Sequence, residues 1–385
     1  MKLPKFVDKI LTVIGYILAF VPFVALGAYA ADGALNLVTN GNEALELLAV
    51  FGFVMVGMLF YYLHIIIHEG GHLIGGLCTG WKFLSFRVGN LTLVNREGKL
   101  QWKKHTVMGT GGQCLMVPPE CGYEECPFYL YLLLGGGANM MTGSIALIMG
   151  MFMADVGQIL CNMFAIMGFA TGLSNLFPAK LGGIANDGYQ IFFELPGGKE
   201  AKKYIYCLLM ANAVLTQADS TKALPENVRN IIMELDDKDM SNLSAVNLLF
   251  FKATTLQEEE RYEEAQEIFQ KIIDMPDILQ LFKNEANCEL LYYEIMGECN
   301  QEKIEAIYDK KLMDYIKLTA MYPSRKRLMY AYYLIYKRDE AEARKEYQAL
   351  LKAAETHPVK AEGAIEKKEA QRVKDRFEKS SNICD

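Results

Sequence analysis

Three histidines and one glutamate interrupt an apolar run, HIIIHEGGHLIGG, at residues 64–76. His68 and His72 are four residues apart, a spacing that stacks two side chains on one face of a helix. Two imidazoles on one face can bind the same zinc ion, and Glu69 beside them completes the H-E-x-x-H pattern. In such a site the metal acidifies a bound water, and the glutamate accepts its proton and passes it to the leaving amine. The run therefore predicts metal-assisted hydrolysis.

The alternative for so short a pattern is a hydrogen-bonded histidine pair on a polar helix face. The chain has only five histidines, however, and three of them lie in this run. Ionisable groups in membrane-like surroundings are costly and usually functional. His64 lies one turn before His68 on the same face, and one helix does not easily bend three such imidazoles around one ion. We expect His64 to support a ligand or line a water path, with metal binding and plain packing as alternatives.

A catalytic tetrahedral zinc needs a third protein ligand and keeps one position open. The segment NLFPAKLGGIANDGYQIF, residues 175–192, closes an apolar stretch and contains one carboxylate, Asp187. Its neighbours are mainly apolar and small, which is unusual for a surface aspartate. From composition alone, Asp187 is either a ligand or a turn or N-cap residue of the segment that follows.

A membrane-spanning helix needs about 20 mostly apolar residues, and four uncharged stretches qualify. They are residues 10–31, 47–67 (continuing through the histidine run to 77), 127–154 and 156–179. Asp155 separates the last two and predicts a tight turn, hence a helical hairpin. Ala28-Tyr29-Ala30 resembles a signal-peptidase site, but the first stretch is longer than the roughly 7–15 apolar residues of a signal peptide. We favour an uncleaved anchor over a signal peptide.

The basic residues of residues 1–194 fall on one side of these spans. Lysines and arginines occur in residues 1–9 and 80–126 and at Lys180, whereas residues 32–46 contain none. Because short basic loops stay in the cytoplasm, we predict a multi-pass protein of the cell membrane, expected to be bacterial, with both termini cytoplasmic. The second and fourth spans then end in the same compartment.

The remainder of the chain is different in character. Charged residues are far denser in residues 195–385 than in residues 1–194, which predicts a membrane domain followed by a soluble part. The net charge of −7 argues against a nucleic-acid partner, which favours a basic patch. The nine cysteines are scattered, and no disulfide framework is expected on the cytoplasmic side.

Residues 195–357 are predicted to form a cytoplasmic α-helical domain. Residues 245–274 and 327–354 share one plan, a helix, a short charged turn and a second helix with alanine and an aromatic residue. The plan resembles tetratricopeptide (TPR) hairpins, which bind peptides or partner proteins, and an unrelated helical bundle is the alternative. A regulatory protein or peptide is the expected partner. Residues 358–385 are a highly charged tail, predicted to be a fraying helix or disordered.

A β-hairpin is predicted within the loop 80–117. Its two alternating runs, FLSFRVGNLTLV and KLQWKKHTVMGT, are split by Asn95-Arg96-Glu97-Gly98. The hairpin is either a simple cytoplasmic insert or a surface that receives an extended chain as an added strand.

Together, these motifs resemble the site-2 proteases, the M50 family of membrane zinc metallopeptidases. The resemblance covers residues 50–192 and rests on His68-Glu69-x-x-His72 in a membrane helix followed by Asn175-x-x-Pro178 and Asp187-Gly188 closing a later span. It implies one Zn²⁺ per chain bound by His68, His72 and Asp187, with Glu69 as the catalytic base. It also implies that Asn175 or Asn139 holds the substrate backbone or the developing oxyanion, with hydrogen bonding between helices as the alternative.

Two departures from the family pattern stand out. The family's G-P-x-x-N motif corresponds to Gly136-Gly137-Ala138-Asn139, with glycine in place of proline. Asp187 follows Asn175 by twelve residues, a wider gap than the compact family form, so the intervening loop must return the aspartate to the metal.

The resemblance implies a mainly α-helical, four-span membrane metalloprotease core with a β-hairpin insert and a soluble TPR-like domain. The expected activity is that of an intramembrane zinc metalloendopeptidase cleaving transmembrane or membrane-proximal protein substrates in the lipid bilayer. One alternative is a catalytically silent scaffold that binds membrane proteins and recruits partners through its helical domain. A metal transporter is disfavoured, because the polar groups cluster at one depth instead of lining several spans.

Overall fold

The computed structural model describes residues 4–37, 43–107, 110–236, 242–276 and 278–381. Two compact units can be distinguished. One contains Met1–Leu93 and Thr106–Lys203, and the other contains Val94–His105 and Tyr204–Asp385. The second unit therefore contains part of the loop between residues 80 and 117 together with the C-terminal helices, which the sequence did not indicate.

Within the residues that the structure describes, four helices of the first unit are long and apolar enough to cross a membrane. They are α1 (Lys5–Leu37), α2 (Glu43–Cys78), α3 (Phe128–Gly150) and α4 (Asp155–Leu176). Each overlaps one of the predicted spans. The predicted turn separates α3 from α4, and Asp155, the first residue of α4, has a left-handed backbone with φ of 48°.

Glycines let these helices approach closely. A Cβ atom at Gly71 of α2 would lie 2.0 Å from the carbonyl oxygen of Leu134 in α3, and one at Gly75 would lie 2.5 Å from that of Leu130. Gly143 of α3 meets Gly168 of α4 in the same way. Small residues at such crossings are typical of helix packing in membranes, where close van der Waals contact stabilises association. This packing brings the backbone of α3 against the histidine-bearing face of α2.

A small sheet follows α2. Its strands are β1 (Lys82–Val88), β2 (Leu91–Arg96), β3 (Lys99–Lys104) and β4 (Gly112–Val117), in the order β3-β2-β1-β4. The turn predicted at residues 95–98 joins β2 to β3, with Glu97 and Gly98 at positive φ. The first run of the predicted hairpin is not one strand, since the chain turns at Gly89 and divides it into β1 and β2. β1 pairs antiparallel with β4, which leaves β4 at an edge of the sheet.

A second, two-stranded hairpin follows α4. β5 (Lys180–Leu181) pairs antiparallel with β6 (Ile184–Ala185), and Gly182 and Gly183 between them both have positive φ. A short helical segment then begins with α5 (Asp187–Tyr189) and continues through Gly197. This hairpin takes up the wide gap between Asn175 and Asp187 and turns the chain back toward the end of α4.

The second unit is helical apart from the end of β2 and strand β3, which lie within Val94–His105. Its helices are α6 (Lys199–Gln217, whose first residues belong to the first unit), α7 (Glu226–Met233), α8 (Leu243–Glu258), α9 (Tyr262–Asp274), α10 (Gln280–Met296), α11 (Gln301–Ile307), α12 (Lys310–Leu318), α13 (Pro323–Ala331, extended by a π-turn to Tyr336), α14 (Glu340–Thr356) and α15 (Lys360–Ser381). The two predicted helical hairpins correspond to α8–α9 and to α13–α14. Asn242 caps the N-terminus of α8, and Asp339 caps the N-terminus of α14.

The charged tail contains a packed helix. Ala370 and Val373 of α15 are fully buried in a core with Tyr292 and Leu328. Glu366 on the same helix accepts a hydrogen bond from the buried guanidinium of Arg327 at 2.6 Å. The sequence left open whether residues 358–385 fray or are disordered, and the described part, Lys360–Ser381, is helical because one of its faces is apolar.

Candidate metal centre

The side chains of His68, His72 and Asp187 meet near the C-terminal end of α2. Nε2 of His68 lies 3.1 Å from Nε2 of His72, and Oδ2 of Asp187 lies 3.3 Å from the first and 3.4 Å from the second. Among the described residues, these three form the one group of potential ligand atoms close enough to share a metal ion. The helix supplies the histidine pair, because residues four apart lie on one face.

The three atoms form a nearly equilateral triangle whose size suits a metal ion. Ligands about 2.0–2.1 Å from a tetrahedral metal lie roughly 3.3–3.4 Å from one another, which the three separations match closely. Asp187 Oδ2 is buried and has no hydrogen-bond partner of its own within the described part of the chain. Two imidazole nitrogens and one carboxylate oxygen are also a donor set that divalent metals accept. The group can therefore hold a metal ion.

The backbone of α3 orients His72. Nδ1 of His72 lies 2.7 Å from the carbonyl oxygen of Tyr131. Because a carbonyl only accepts hydrogen bonds, Nδ1 carries the proton. In the neutral imidazole, the lone pair of Nε2 then faces the space between the three potential ligand atoms. The ring of Tyr131 stacks on Trp81 at 4.6 Å, and its hydroxyl donates to the carbonyl of Cys114 at 2.6 Å. Both contacts hold the carbonyl of Tyr131 in place.

Asn186 positions Asp187. Its amide nitrogen donates to the carbonyls of Ser174 and Phe177, each at 2.7 Å, and its side-chain oxygen accepts from the backbone N–H groups of Ala179 and Tyr189. Asn186 thereby caps the short helix that Asp187 begins and ties it to the end of α4. At Gly188 a Cβ would lie 2.2 Å from the carbonyl oxygen of Leu176, so only glycine permits this approach.

The electrostatic surroundings keep Asp187 ionised. Burial by itself raises the pKa of this carboxyl, but the facing imidazoles of His72 and His68 outweigh burial and hold the pKa below its ordinary value. Metal binding requires a deprotonated carboxylate and neutral imidazoles. A metal ion between the three side chains would replace the imidazole protons and stabilise the same carboxylate in their place.

Glu69 is buried next to the edge strand of the sheet. Its carboxylate faces the start of β4, where a Cβ at Gly112 would lie 2.6 Å from Oε1 of Glu69. The backbone of Cys114 in β4 lies close to the same carboxylate. Glu69 is thus adjacent to the three ligand atoms without being one of them, and an edge strand runs past it.

The other residues singled out from the sequence lie outside the ligand group. His64 is fully buried against α4, with Nε2 3.0 Å from the carbonyl oxygen of Phe164. Asn139 donates to the hydroxyl of Thr171 at 2.6 Å, and Asn175 donates to the carbonyl of the same threonine at 2.9 Å. All three side chains therefore hydrogen-bond to α4.

Several residues that shape the site were not singled out from the sequence. Gly135 of α3 packs directly on the histidines, since a Cβ there would lie 2.4 Å from Cε1 of His72 and 3.0 Å from that of His68. Its place at the start of a Gly-Gly-Gly run was an available signal, as was the position of Asn186 directly before Asp187. Nothing in the sequence marked Tyr131, because it acts on His72 through its backbone carbonyl.

Comparison of the chain with protein-family models, with curated proteins and with solved structures yields no match.

Proposed function

We propose that this protein is an intramembrane zinc metalloendopeptidase of the site-2 protease type, with a cytoplasmic TPR-like domain. The observation that carries the proposal is the arrangement of two imidazole nitrogens and a carboxylate oxygen in a triangle of 3.1–3.4 Å, with the buried Glu69 adjacent. Three ligands and a neighbouring carboxylate that is not a ligand are the set that hydrolytic zinc sites use.

The residues of the chain would divide the work as follows. His68, His72 and Asp187 would hold the ion, which supplies Lewis acidity to polarise a peptide carbonyl and to acidify water. Glu69 would take the proton from the attacking water and deliver it to the leaving amine. The backbone at the start of β4, which packs against the Glu69 carboxylate, would restrict its orientation. Tyr131 and Asn186 would hold two of the ligands in place.

The edge strand β4 offers a place for the substrate. An edge strand presents unpaired backbone groups, and an extended chain can pair with them as an added strand. The glycine at the start of β4, Gly112, leaves no side chain between this strand and Glu69. A substrate lying along β4 would therefore expose its peptide bonds beside the carboxylate, which a helical substrate would not do.

The helical unit is proposed to be TPR-like and to bind a regulatory protein or peptide. Its α8–α9 and α13–α14 hairpins have the turn positions expected of such repeats. The four apolar helices are proposed to cross a bacterial cell membrane, with both termini cytoplasmic. The substrate would be a transmembrane or membrane-proximal protein.

The test uses the full-length protein purified in detergent without chelators. We expect about one zinc per chain in the wild type and in Glu69→Gln, and clear loss of zinc in Asp187→Ala. Reconstituted with a panel of single-span reporter proteins, the wild type should cleave and Glu69→Gln should not. Absence of metal from the wild type after zinc repletion would rule out the peptidase. Metal with no cleavage of any reporter would favour the silent scaffold instead.

A further inference from the structure

A cavity of about 320 Å³ lies between α1, α2 and α4. Its inner wall is the buried apolar cluster of Leu26, Phe53, Met163 and Met167. The residues at its mouth are exposed, and apart from the hydroxyl of Tyr61 they are apolar: Phe23, Val54, Met58 and Tyr61. The cavity therefore opens sideways from the helices at the depth of the apolar spans.

The cavity lies on the face of α2 that leads to Glu69. Starting from Val54, the helix places Met58, Tyr61, Ile65 and Glu69 at successive steps of three or four residues. Residues at these spacings form one continuous stripe along a helix. Met58 precedes Glu69 by eleven residues, which corresponds to about 16 Å along the helix axis.

The same stripe contacts the edge strand. A Cβ at Gly111, just before β4, would lie 3.0 Å from Ile65 and 3.8 Å from the hydroxyl of Tyr61. A Cβ at Gly112 would lie 2.7 Å from Ile65 and 2.6 Å from the carboxylate of Glu69. The cavity, the start of β4 and Glu69 are therefore consecutive along one surface.

We propose that this cavity is a specificity subsite that binds a large apolar side chain from the transmembrane segment of the substrate. The proposal rests on the peptidase function above, because the side chain in the cavity would belong to the same substrate that is proposed to lie along β4. Continuity with Glu69 selects this occupant over a lipid acyl chain, which gains nothing from a path that ends at a buried carboxylate. The three methionines of the lining, Met58, Met163 and Met167, suit side chains of different shapes.

Two glycines provide a matched pair of variants. A Cβ at Gly27 would meet no atom within 4 Å, and this residue lines the cavity, so Gly27→Leu should fill the cavity without straining α1. A Cβ at Gly52 of α2 also meets no atom within 4 Å, but Gly52 is not part of the lining. Gly52→Leu therefore adds the same apolar group outside the cavity.

The experiment measures binding of two synthetic single-span peptides to full-length Glu69→Gln protein in lipid nanodiscs. One peptide has a leucine-rich span and the other an alanine-rich span, and both have the same extended polar tail. We expect the leucine-rich peptide to bind about tenfold more tightly, and Gly27→Leu to abolish this preference while Gly52→Leu retains it. Metal content serves as the check of folding, and Met58→Ala, which removes one wall, replaces Gly27→Leu if that variant does not fold.

If the Gly27→Leu and Gly52→Leu proteins bind the leucine-rich peptide with equal affinity, the proposal is overturned. So would a Gly27→Leu protein that loses co-purified phospholipid but keeps its preference for the leucine-rich peptide, since the cavity would then be an acyl-chain site. Cleavage by the protein with an intact Glu69 is scored separately. If Gly27→Leu abolishes the preference for the leucine-rich peptide but the protein cleaves no substrate, the peptidase is refuted and the subsite stands. If the protein cleaves but Gly27→Leu keeps the preference, the subsite alone is refuted.

Discussion

The carbonyl oxygen of Tyr131 lies 2.7 Å from Nδ1 of His72, so the backbone of α3 determines which nitrogen of this histidine faces His68 and Asp187. Outer hydrogen bonds of this kind set the tautomer and the ring orientation of metal-binding histidines. The contact depends on close helix packing, which Gly71, Gly75 and Gly135 permit. The candidate metal centre therefore depends as much on the helix crossing as on the H-E-x-x-H residues.

Gly135→Ala should weaken metal binding. The added Cβ would lie 2.4 Å from Cε1 of His72, so the imidazole must rotate or the helices must separate. We expect at least about a tenfold loss of zinc affinity, the usual range for disturbing the support of a ligand. A competition titration with a chromophoric chelator measures it.

Gly137→Ala is the matched control, because the nearest atom to its Cβ, in Leu134, is 3.8 Å away. Equal zinc affinities in the two variants would contradict the packing argument.

Asn186→Ala should release Asp187 from the site without removing the ligand itself. Its side chain makes four hydrogen bonds that hold the β5–β6 hairpin and the start of α5 against α4. We expect about a 10–100-fold loss of zinc affinity, again measured by chelator competition. Asn175→Ala removes one hydrogen bond to Thr171 and should leave zinc affinity unchanged. A drop of similar size in Asn175→Ala would instead indicate that Asn175 acts on the metal site.

The helical unit should lose stability in mild acid through His357. Burial, opposed by a hydrogen bond with the carbonyl of Val359 and assisted by the nearby charge of Arg96, lowers the pKa of His357 to about 4. Because the unfolded pKa is near 6.5, the neutral form favours folding above that value, and this contribution is lost as the pH falls from 6.5 toward 4. Between pH 7.5 and pH 5 the loss should be about 2 kcal/mol.

Hydrogen–deuterium exchange of α14 and α15 in the full-length protein, corrected for the intrinsic pH dependence of exchange, provides the measurement. Two other titratable groups contact the His357 side chain. The carboxylate of Glu362 lies 3.5 Å from Nε2 of His357, and the ring centroid of His105 lies 4.7 Å from that of His357. His357→Gln should remove most of the pH dependence. An unchanged pH dependence in that variant would assign the effect to other groups.

Arg327→Met should destabilise the helical unit strongly. The guanidinium is fully buried and pairs with Glu289 at 2.7 Å and with Glu366 at 2.6 Å, so its removal leaves two carboxylates without a counter-charge. Removing one partner of a buried pair costs about 3–5 kcal/mol.

Chemical denaturation followed by far-UV circular dichroism measures the loss, and Lys326→Met, next in the chain and paired with Glu346 at 3.0 Å nearer the surface, is the comparison. A smaller effect for Arg327→Met than for Lys326→Met would contradict the importance of the buried network.

Local sequence alone determined the parts of this protein that depend on spacing and composition. Long apolar runs indicated four helices that are long and apolar enough to span a membrane, because a spanning helix needs a minimum apolar length. The spacing of four residues between His68 and His72 placed both imidazoles on one face of α2. The helical hairpins at α8–α9 and α13–α14 were evident from periodicity and charged turns.

Tertiary structure decided what depends on residues far apart in the chain. Asp187 was either a ligand or a cap from composition, and only the β5–β6 hairpin and Asn186 bring its carboxylate within 3.4 Å of both imidazoles. The orientation of His72 came from the carbonyl of Tyr131, a group that every residue possesses and no sequence pattern can mark. Strand β4 reached Glu69 because two glycines leave room for its backbone. Such contacts are set by the packing of whole elements, so their geometry is absent from any short stretch of sequence.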